Sequence, residues 1–98
     1  MTVEERPDGT LLIQKLPIEE LAFLSLAVPF TPDCRRVIEA LLHGRRVVLM
    51  PEASEHRQYR KTAPRAVYQK FVAMEREVHA LGVARPTARE MRGGQTCW

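Results

Sequence analysis

The stretch from residue 31 to residue 50 constrains the fold more than any other part of this chain. It predicts a capped helix that is followed by a glycine stop and one buried strand. Thr31 can cap the first helical turn, and Pro32 fits the position where the helical N–H has no partner in any case. Gly44 can end the helix in the left-handed conformation. The apolar run 47–50 then predicts a strand that is covered on both faces. One face of the helix is apolar and is expected to be buried, namely Val37, Ile38, Leu41 and Leu42.

The segments on either side complete the element order β-β-α-α-β-α. Residues 3–14 predict a β-hairpin around the turn Pro-Asp-Gly-Thr, and its second strand is expected to be central. Residues 15–28 predict a helix that is apolar nearly all round and therefore buried. Residues 52–61 predict a polar loop. Thr62 is expected to cap a third helix that ends at Leu81.

The order of the elements predicts an α/β fold in a single domain over residues 1–83. If the second and third strands are adjacent and parallel, the helix pair between them forms a right-handed crossover. The sheet then has three strands, is mixed, and is packed by helices. Its open edge favours a homodimer, because pairing with a second copy would satisfy the exposed backbone groups. Residues 84–98 lose the apolar pattern and predict a flexible basic tail.

Length and composition place the chain among small globular domains. Its 98 residues fit one domain, and no apolar run reaches the roughly 20 residues of a membrane-spanning helix. The N-terminal segment lacks the apolar stretch of a signal peptide, so a cytoplasmic location is expected. A net charge of +3 is small for a dedicated nucleic-acid-binding protein. Cys34 and Cys97 predict no disulfide framework, and Cys34 is expected to be a small structural residue rather than a reactive thiolate.

No catalytic, cofactor-binding or metal-binding constellation stands out, so the sequence predicts a protein that is not an enzyme. His43, His56 and His79 lack the spacing of metal ligands, and we expect them to lie at the surface or at helix ends. The glycines are scattered and form no phosphate-binding loop. The serines have no nucleophile-elbow context.

The third helix carries an apolar seam at heptad-like spacing. Its members are Val67, Phe71, Met74, Val78 and Leu81. Such a seam either packs lengthwise on the domain's own sheet or binds a helix of another molecule. Both interpretations are open at the level of the sequence.

The start of the third helix is basic and contains two tyrosines. The cationic residues are His56, Arg57, Arg60, Lys61, Arg65 and Lys70, and the tyrosines are Tyr59 and Tyr68. This pattern is typical of a solvated polar face, of a site for an anion or an acidic protein surface, or of a groove for single-stranded nucleic acid. The residues predicted to bind a partner are Arg57, Tyr59, Arg60, Lys61, Arg65 and the five seam residues.

Two segments resemble a known family. Residues 39–45, Glu-Ala-Leu-Leu-His-Gly-Arg, are similar to the helix ending Glu-Ala-Leu-Leu-x-Gly-Lys of flavoprotein-like proteins, a group that includes phosphopantothenoylcysteine decarboxylase. More closely, the chain resembles ethanolamine-utilisation-type accessory proteins of bacterial microcompartments. Residues 56–64, His-Arg-Gln-Tyr-Arg-Lys-Thr-Ala-Pro, and the long helix after them are similar to the distal segment of those proteins. The resemblance covers residues 11–83.

The chain departs from its flavin-binding relatives at the residues that hold the cofactor. Those relatives use a serine and an asparagine at the start of the first helix and an aspartate in the following turn. Here residues 17–19 are Pro-Ile-Glu, and Phe30 stands at the aspartate position. The upstream half of a flavodoxin-like sheet is replaced by a hairpin. The resemblance therefore implies a reduced flavodoxin-like half without a cofactor.

The function implied by the resemblance is a non-enzymatic structural or assembly accessory of a bacterial microcompartment. Ethanolamine and propanediol utilisation are the pathway types concerned, and a small propanediol-utilisation assembly protein has a comparable layout. The partners would be shell proteins or encapsulated enzymes. Two alternatives remain: a flavin- or nucleotide-binding protein that is complete only as an oligomer, and a small nucleic-acid-binding regulator.

Overall fold

The computed structural model describes residues 1–93. Within this range, three strands and four α-helices follow one another, with a short 3₁₀-helix before the third α-helix. In chain order the elements are β1 (Thr2–Glu5), β2 (Leu11–Lys15), α1 (Ile18–Ser25), α2 (Pro32–Leu42), β3 (Val47–Leu49), the 3₁₀-helix (Glu55–Tyr59), α3 (Arg65–Ala80) and α4 (Ala88–Gly93). None of the helices in this part of the chain is long and apolar enough to cross a membrane.

The sheet confirms the predicted α/β class. Its strand order is β1-β2-β3, with β1 antiparallel to β2 and β2 parallel to β3. The central strand begins with three fully buried residues, Leu11 to Ile13, and Leu12 pairs with Val48. Ala84 forms an isolated parallel bridge with Val48, so the segment around Ala84 covers the outer edge of β3 at that point. The edge at β1 is where the predicted homodimer would form.

The local signals of the stretch 31–50 are confirmed. The hydroxyl oxygen of Thr31 accepts a hydrogen bond from the Cys34 N–H at 3.1 Å, as an N-cap does. Gly44 has φ +72° and ends α2 in the left-handed conformation. All three residues of β3 are buried.

Leu42 was predicted on the buried face of α2 and is instead 80% exposed. The centre of the buried face is Val37, with Ala40 beside it. At 100° per residue, Leu42 lies about 140° around the helix from Val37, so the two side chains cannot face the same layer. The prediction was wrong because the apolar face is narrower than the run of apolar residues.

The first helix is shorter and less covered than the sequence indicates. α1 ends at Ser25, and residues 26–30 form a loop in which every residue is exposed. The chain leaves the helix through Ala27, which has φ +55°. The prediction that residues 15–28 form a helix buried on all sides is therefore wrong for residues 26–28, which are exposed.

The start of α3 also differs from the prediction. Pro64 occupies the N-cap position without a side-chain bond, while the Thr62 hydroxyl donates to the Tyr59 carbonyl at 3.5 Å. A proline disfavours helical geometry in the residue before it, so the helix cannot begin earlier. The predicted loop 52–61 contains the 3₁₀-helix.

Residues 84–93 have more regular structure than the predicted flexible tail. Besides the bridge at Ala84, α4 begins with a reciprocal cap in which the Thr87 N–H donates to Glu90 and the Glu90 N–H donates to Thr87. Arg46 donates two hydrogen bonds to the Glu90 carboxylate, at 3.0 and 2.8 Å. The remainder of the predicted tail, with Cys97 and Trp98, lies outside the described residues.

Candidate interaction surface

An apolar groove of about 200 Å³ opens where the C-terminal ends of α1, α2 and α3 come together. We call it the apolar groove, and it is lined by Leu24, Ala27, Ile38, Leu41, Leu42, Val78, Leu81 and Val83. The lining residues differ in burial, because Leu24 and Val78 belong to the core whereas Leu42 and Leu81 are exposed. The groove is thus an extension of the core to the surface.

The loop 26–30 continues this apolar surface from Ala27. Its five residues, Leu-Ala-Val-Pro-Phe, are all exposed. Leu26 and Phe30 are each 74% exposed, although the Phe30 ring lies 5.0 Å from that of Phe23, centroid to centroid. Single exposed apolar side chains are common on proteins, but clusters of them mark interaction sites. The groove and this loop form such a cluster.

The same type of C-terminal capping turn ends all three helices at the groove. In each case the second residue after the helix end is left-handed, and the N–H of the residue after it donates to the carbonyl five positions earlier, in the last turn. The bonds run from Val28 to Phe23, from Arg45 to Ala40 and from Val83 to Val78. Glycine fills the left-handed position of α2 and α3, but Ala27 fills that of α1. An alanine is strained there, because its Cβ approaches the backbone.

The backbone dipoles of the three helices bring partial negative charge to the rim of the groove, although its lining is apolar. Neither α1 nor α2 has a basic residue in its last turn, and α3 has only His79 there. The two arginines that follow α2 are engaged elsewhere. Arg45 donates to the Gly9 carbonyl at 2.6 Å, and Arg46 pairs with Glu90. Lysines or arginines of a partner would therefore be favoured at the rim.

The seam predicted on α3 divides into an interior part and two exposed ends. Val78 is 1% exposed, and Phe71 and Met74 pack against the core. Val67 and Leu81 are 49% and 46% exposed at opposite ends of the helix. Much of the seam is thus occupied by the domain's own core. Its last two members, Val78 and Leu81, line the apolar groove.

The basic residues at the start of α3 do not form one set. Arg57 pairs with Glu75 at 2.6 Å, and the Tyr59 hydroxyl donates to Glu55 at 3.3 Å. Three further members of the predicted partner-binding set are exposed, namely Arg60, Lys61 and Arg65. Sequence reasoning missed Glu75, which also accepts a bond from the buried Ser54 hydroxyl at 2.6 Å. Its neighbours in space come from separate parts of the chain, so no local pattern indicates them.

His56 was expected at the surface and is instead 3% exposed. Its ring packs against those of Tyr68 and Phe71, at centroid distances of 5.5 and 6.0 Å. Burial lowers the pKa of His56 and favours the neutral imidazole, whose Nδ1 has no hydrogen-bond partner among residues 1–93. This residue therefore packs as a ring rather than acting as part of a cationic surface.

Cys34 lies in a small buried polar cluster rather than at a reactive site. Its Sγ is 3.6 Å from a carboxylate oxygen of Glu20, which also accepts from the Thr31 hydroxyl at 2.7 Å. The Met1 ammonium contacts the other oxygen of Glu20 at 2.6 Å. Burial raises the pKa of the Cys34 thiol, and the adjacent carboxylate acts in the same direction.

Within residues 1–93, no group of three or more His, Cys, Asp or Glu side chains is placed to hold a metal ion. The chain was also compared with known proteins. No protein-family profile, no curated protein and no solved structure matches it.

Proposed function

We propose that this chain is a non-enzymatic assembly accessory of a bacterial microcompartment, and that it docks a shell protein or an encapsulated enzyme at the apolar groove. The observation that carries the docking is the cluster of exposed apolar residues at three helix ends. The compartment itself comes from the resemblance of residues 11–83 to microcompartment accessory proteins. A reduced flavodoxin-like half would retain the parallel pair β2–β3 with its helices.

The occupant that the groove favours is an amphipathic helix of the partner with lysines or arginines beside its apolar stripe. A helix in a groove is a common mode of recognition, in which apolar side chains one turn apart enter the groove. The negative helix ends at the rim attract cations and disfavour acidic residues. A second copy of this chain presents the same negative rim, so it is disfavoured as the occupant.

Leu42 is the position at which to test the groove, because it is 80% exposed and its replacement leaves the core intact. Burying one leucine side chain contributes roughly 1.5–3 kcal/mol. Its loss would therefore weaken binding about ten- to hundredfold. Val67 on α3 is the matched control, because it is an exposed apolar residue outside the groove.

The experiment is to co-express the tagged chain with a complete set of microcompartment shell proteins and encapsulated enzymes, and to identify the retained proteins by mass spectrometry. We expect retention of a shell protein or enzyme by the unaltered chain and by Val67→Glu, and its loss with Leu42→Glu. Circular dichroism checks that both variants fold.

Two results would contradict this proposal. If no microcompartment protein is retained, the assignment to the compartment is wrong. If retention survives Leu42→Glu but is lost with Val67→Glu, the partner binds along the predicted seam of α3 and the groove is not the docking site. Weakening of the complex as salt rises would support the basic partner helix, since the attraction between the rim and the cations is screened.

A further inference from the structure

A second concavity, which shares no lining residue with the apolar groove, lies at the carboxyl end of β3. We call it the strand-end cleft. Its volume is about 290 Å³, near the lower end for small-molecule sites. Ligands of open α/β sheets bind outside the carboxyl ends of the strands, which is where this cleft opens. The cleft therefore lies on the side of the sheet where such ligands bind.

The walls of the cleft combine apolar surface with two cations. Leu49 at the end of β3 contributes to the lining, together with Pro86 and Met91. Arg57 and Arg85 also line the cleft. Among the described residues, Arg85 takes part in none of the ion pairs and is exposed, so its guanidinium can receive a ligand.

Three polar groups at the cleft are held in place by neighbours. Arg57 donates to Glu75 at 2.6 Å, and Ser54 donates to the other oxygen of the same carboxylate. The pKa of Glu75 is lowered, against the effect of its burial, by its hydrogen bonds from Arg57 and Ser54, so it is ionised. His79 Nδ1 is 2.7 Å from the Val83 carbonyl and must donate to it, which fixes the ring. These groups need little rearrangement when a ligand enters.

The charges select the type of ligand. Two arginines and one ionised glutamate leave the cleft one positive charge in excess when His79 is neutral. A monoanion matches this excess, whereas a dianion such as a phosphate ester would bring a second negative charge near Glu75. The apolar walls favour a hydrocarbon group next to the anion. We propose that the strand-end cleft binds a carboxylate that is carried on a short apolar body, with Arg85 as its principal partner.

Two sources can supply this chemistry: a free short-chain carboxylic acid, or the C-terminal carboxylate of a polypeptide that ends in an apolar residue. At roughly 30 Å³ per water molecule the cleft has the volume of about ten waters, so a ligand of that many non-hydrogen atoms fits. Small ligands of this size bind weakly, and we expect a dissociation constant on the order of 1 mM for the free acid.

The test is an NMR titration of the ¹⁵N-labelled full chain with sodium hexanoate at constant pH and ionic strength. We expect saturable shifts at the amides of Leu49, Met50 and Arg85. Hexanol and inorganic phosphate should bind at least tenfold more weakly, because each lacks one part of the ligand. A peptide with a free apolar C-terminus is compared with its amidated form. Binding that depends on the free C-terminus identifies the polypeptide source, and its absence leaves the free acid.

Arg85→Gln should weaken hexanoate binding about tenfold or more, since a hydrogen bond to a charged group is lost. Arg65→Gln is the control, because it removes the same charge from an exposed site about 21 Å along α3 from His79 at 1.5 Å per residue. The proposal is overturned if neither hexanoate nor the peptide gives saturable shifts, or if the two arginine variants bind hexanoate equally. Leu42→Glu should leave this titration unchanged, so the cleft is tested independently of partner docking.

Discussion

Replacing Ala27 by glycine should stabilise the protein, although the same change destabilises most helical sites. Ala27 has φ +55°, and left-handed geometry costs an L-residue roughly 1–2 kcal/mol. Glycine avoids that cost, but it loses about 0.5–1 kcal/mol more conformational entropy on folding than alanine does. Taking the middle of both ranges, the difference is a net stabilisation of about 0.75 kcal/mol. The exposed methyl group adds little to the balance, because it lies on the surface of the groove.

The assay is thermal and urea denaturation of the full chain, followed by circular dichroism. In a domain of this size a change of 1 kcal/mol moves the melting temperature by about 4–8 °C, so Ala27→Gly should raise it by roughly 3–6 °C. Ala73→Gly is the control, since Ala73 is an exposed residue inside α3 with ordinary helical surroundings. That variant should lose about 1 kcal/mol.

The two variants must move in opposite directions for the reasoning to hold. If Ala27→Gly lowers the melting temperature as much as Ala73→Gly does, residue 27 is not left-handed in solution. The end of α1 would then differ from the turn described above, and the apolar groove would lose one of its three walls.

Three further outcomes test the rest of the fold. Thr31→Ala should lose about 1–2 kcal/mol of stability, because the N-cap of α2 is removed, and urea denaturation measures this. Leu21→Ala should lose about 2–5 kcal/mol at a fully buried site, whereas Leu42→Ala should stay within about 0.5 kcal/mol of the unaltered chain. Arg46 holds the pKa of Glu90 at about 2, so the stabilisation from this contact should be present at neutral pH and be lost as pH falls from about 4.5 towards 2, which NMR titration of the carboxyl follows. A Glu90 pKa near 4.5 would mean that the contact does not form in solution.

The parts of the fold that the sequence predicted are those set by neighbouring residues. The hairpin turn depends on the order Pro-Asp-Gly, and the Thr10 N–H does donate to the Asp8 carboxylate at 3.0 Å. The cap at Thr31 and the stop at Gly44 are equally local. Such features depend on a few consecutive residues, so they can be derived from sequence and confirmed in the structure.

The errors concern contacts between distant parts of the chain. The sequence pattern could not show that His56 packs against two aromatic rings of α3, or that Arg46 reaches Glu90. Apolar periodicity also says which residues share a helix face, but it does not say how far the neighbouring layer extends. This is why Leu42 was predicted to be buried and is exposed.

The candidate groove was missed for the same reason, although one local signal pointed to it. The run Leu-Ala-Val-Pro-Phe at residues 26–30 has no polar residue, yet it follows the end of a helix, where exposed loops are usually polar. From the sequence alone, however, this apolar run could equally be the last turn of a buried helix. Only the structure shows that Pro29 and its neighbours are solvent-exposed.

Two separate departures from stability coincide at the apolar groove. Exposed leucines such as Leu26 and Leu42 forgo the burial that stabilises a fold, and Ala27 retains a strained backbone where glycine would relieve it. Stability of the fold explains neither feature, because polar side chains in place of the leucines and a glycine at position 27 would give a more stable fold. A partner that covers the leucines and contacts the Ala27 methyl group recovers the burial on binding. In natural proteins, several unfavourable features occur together mainly where another molecule binds. For this reason we favour the apolar groove over the seam of α3 as the docking site proposed above.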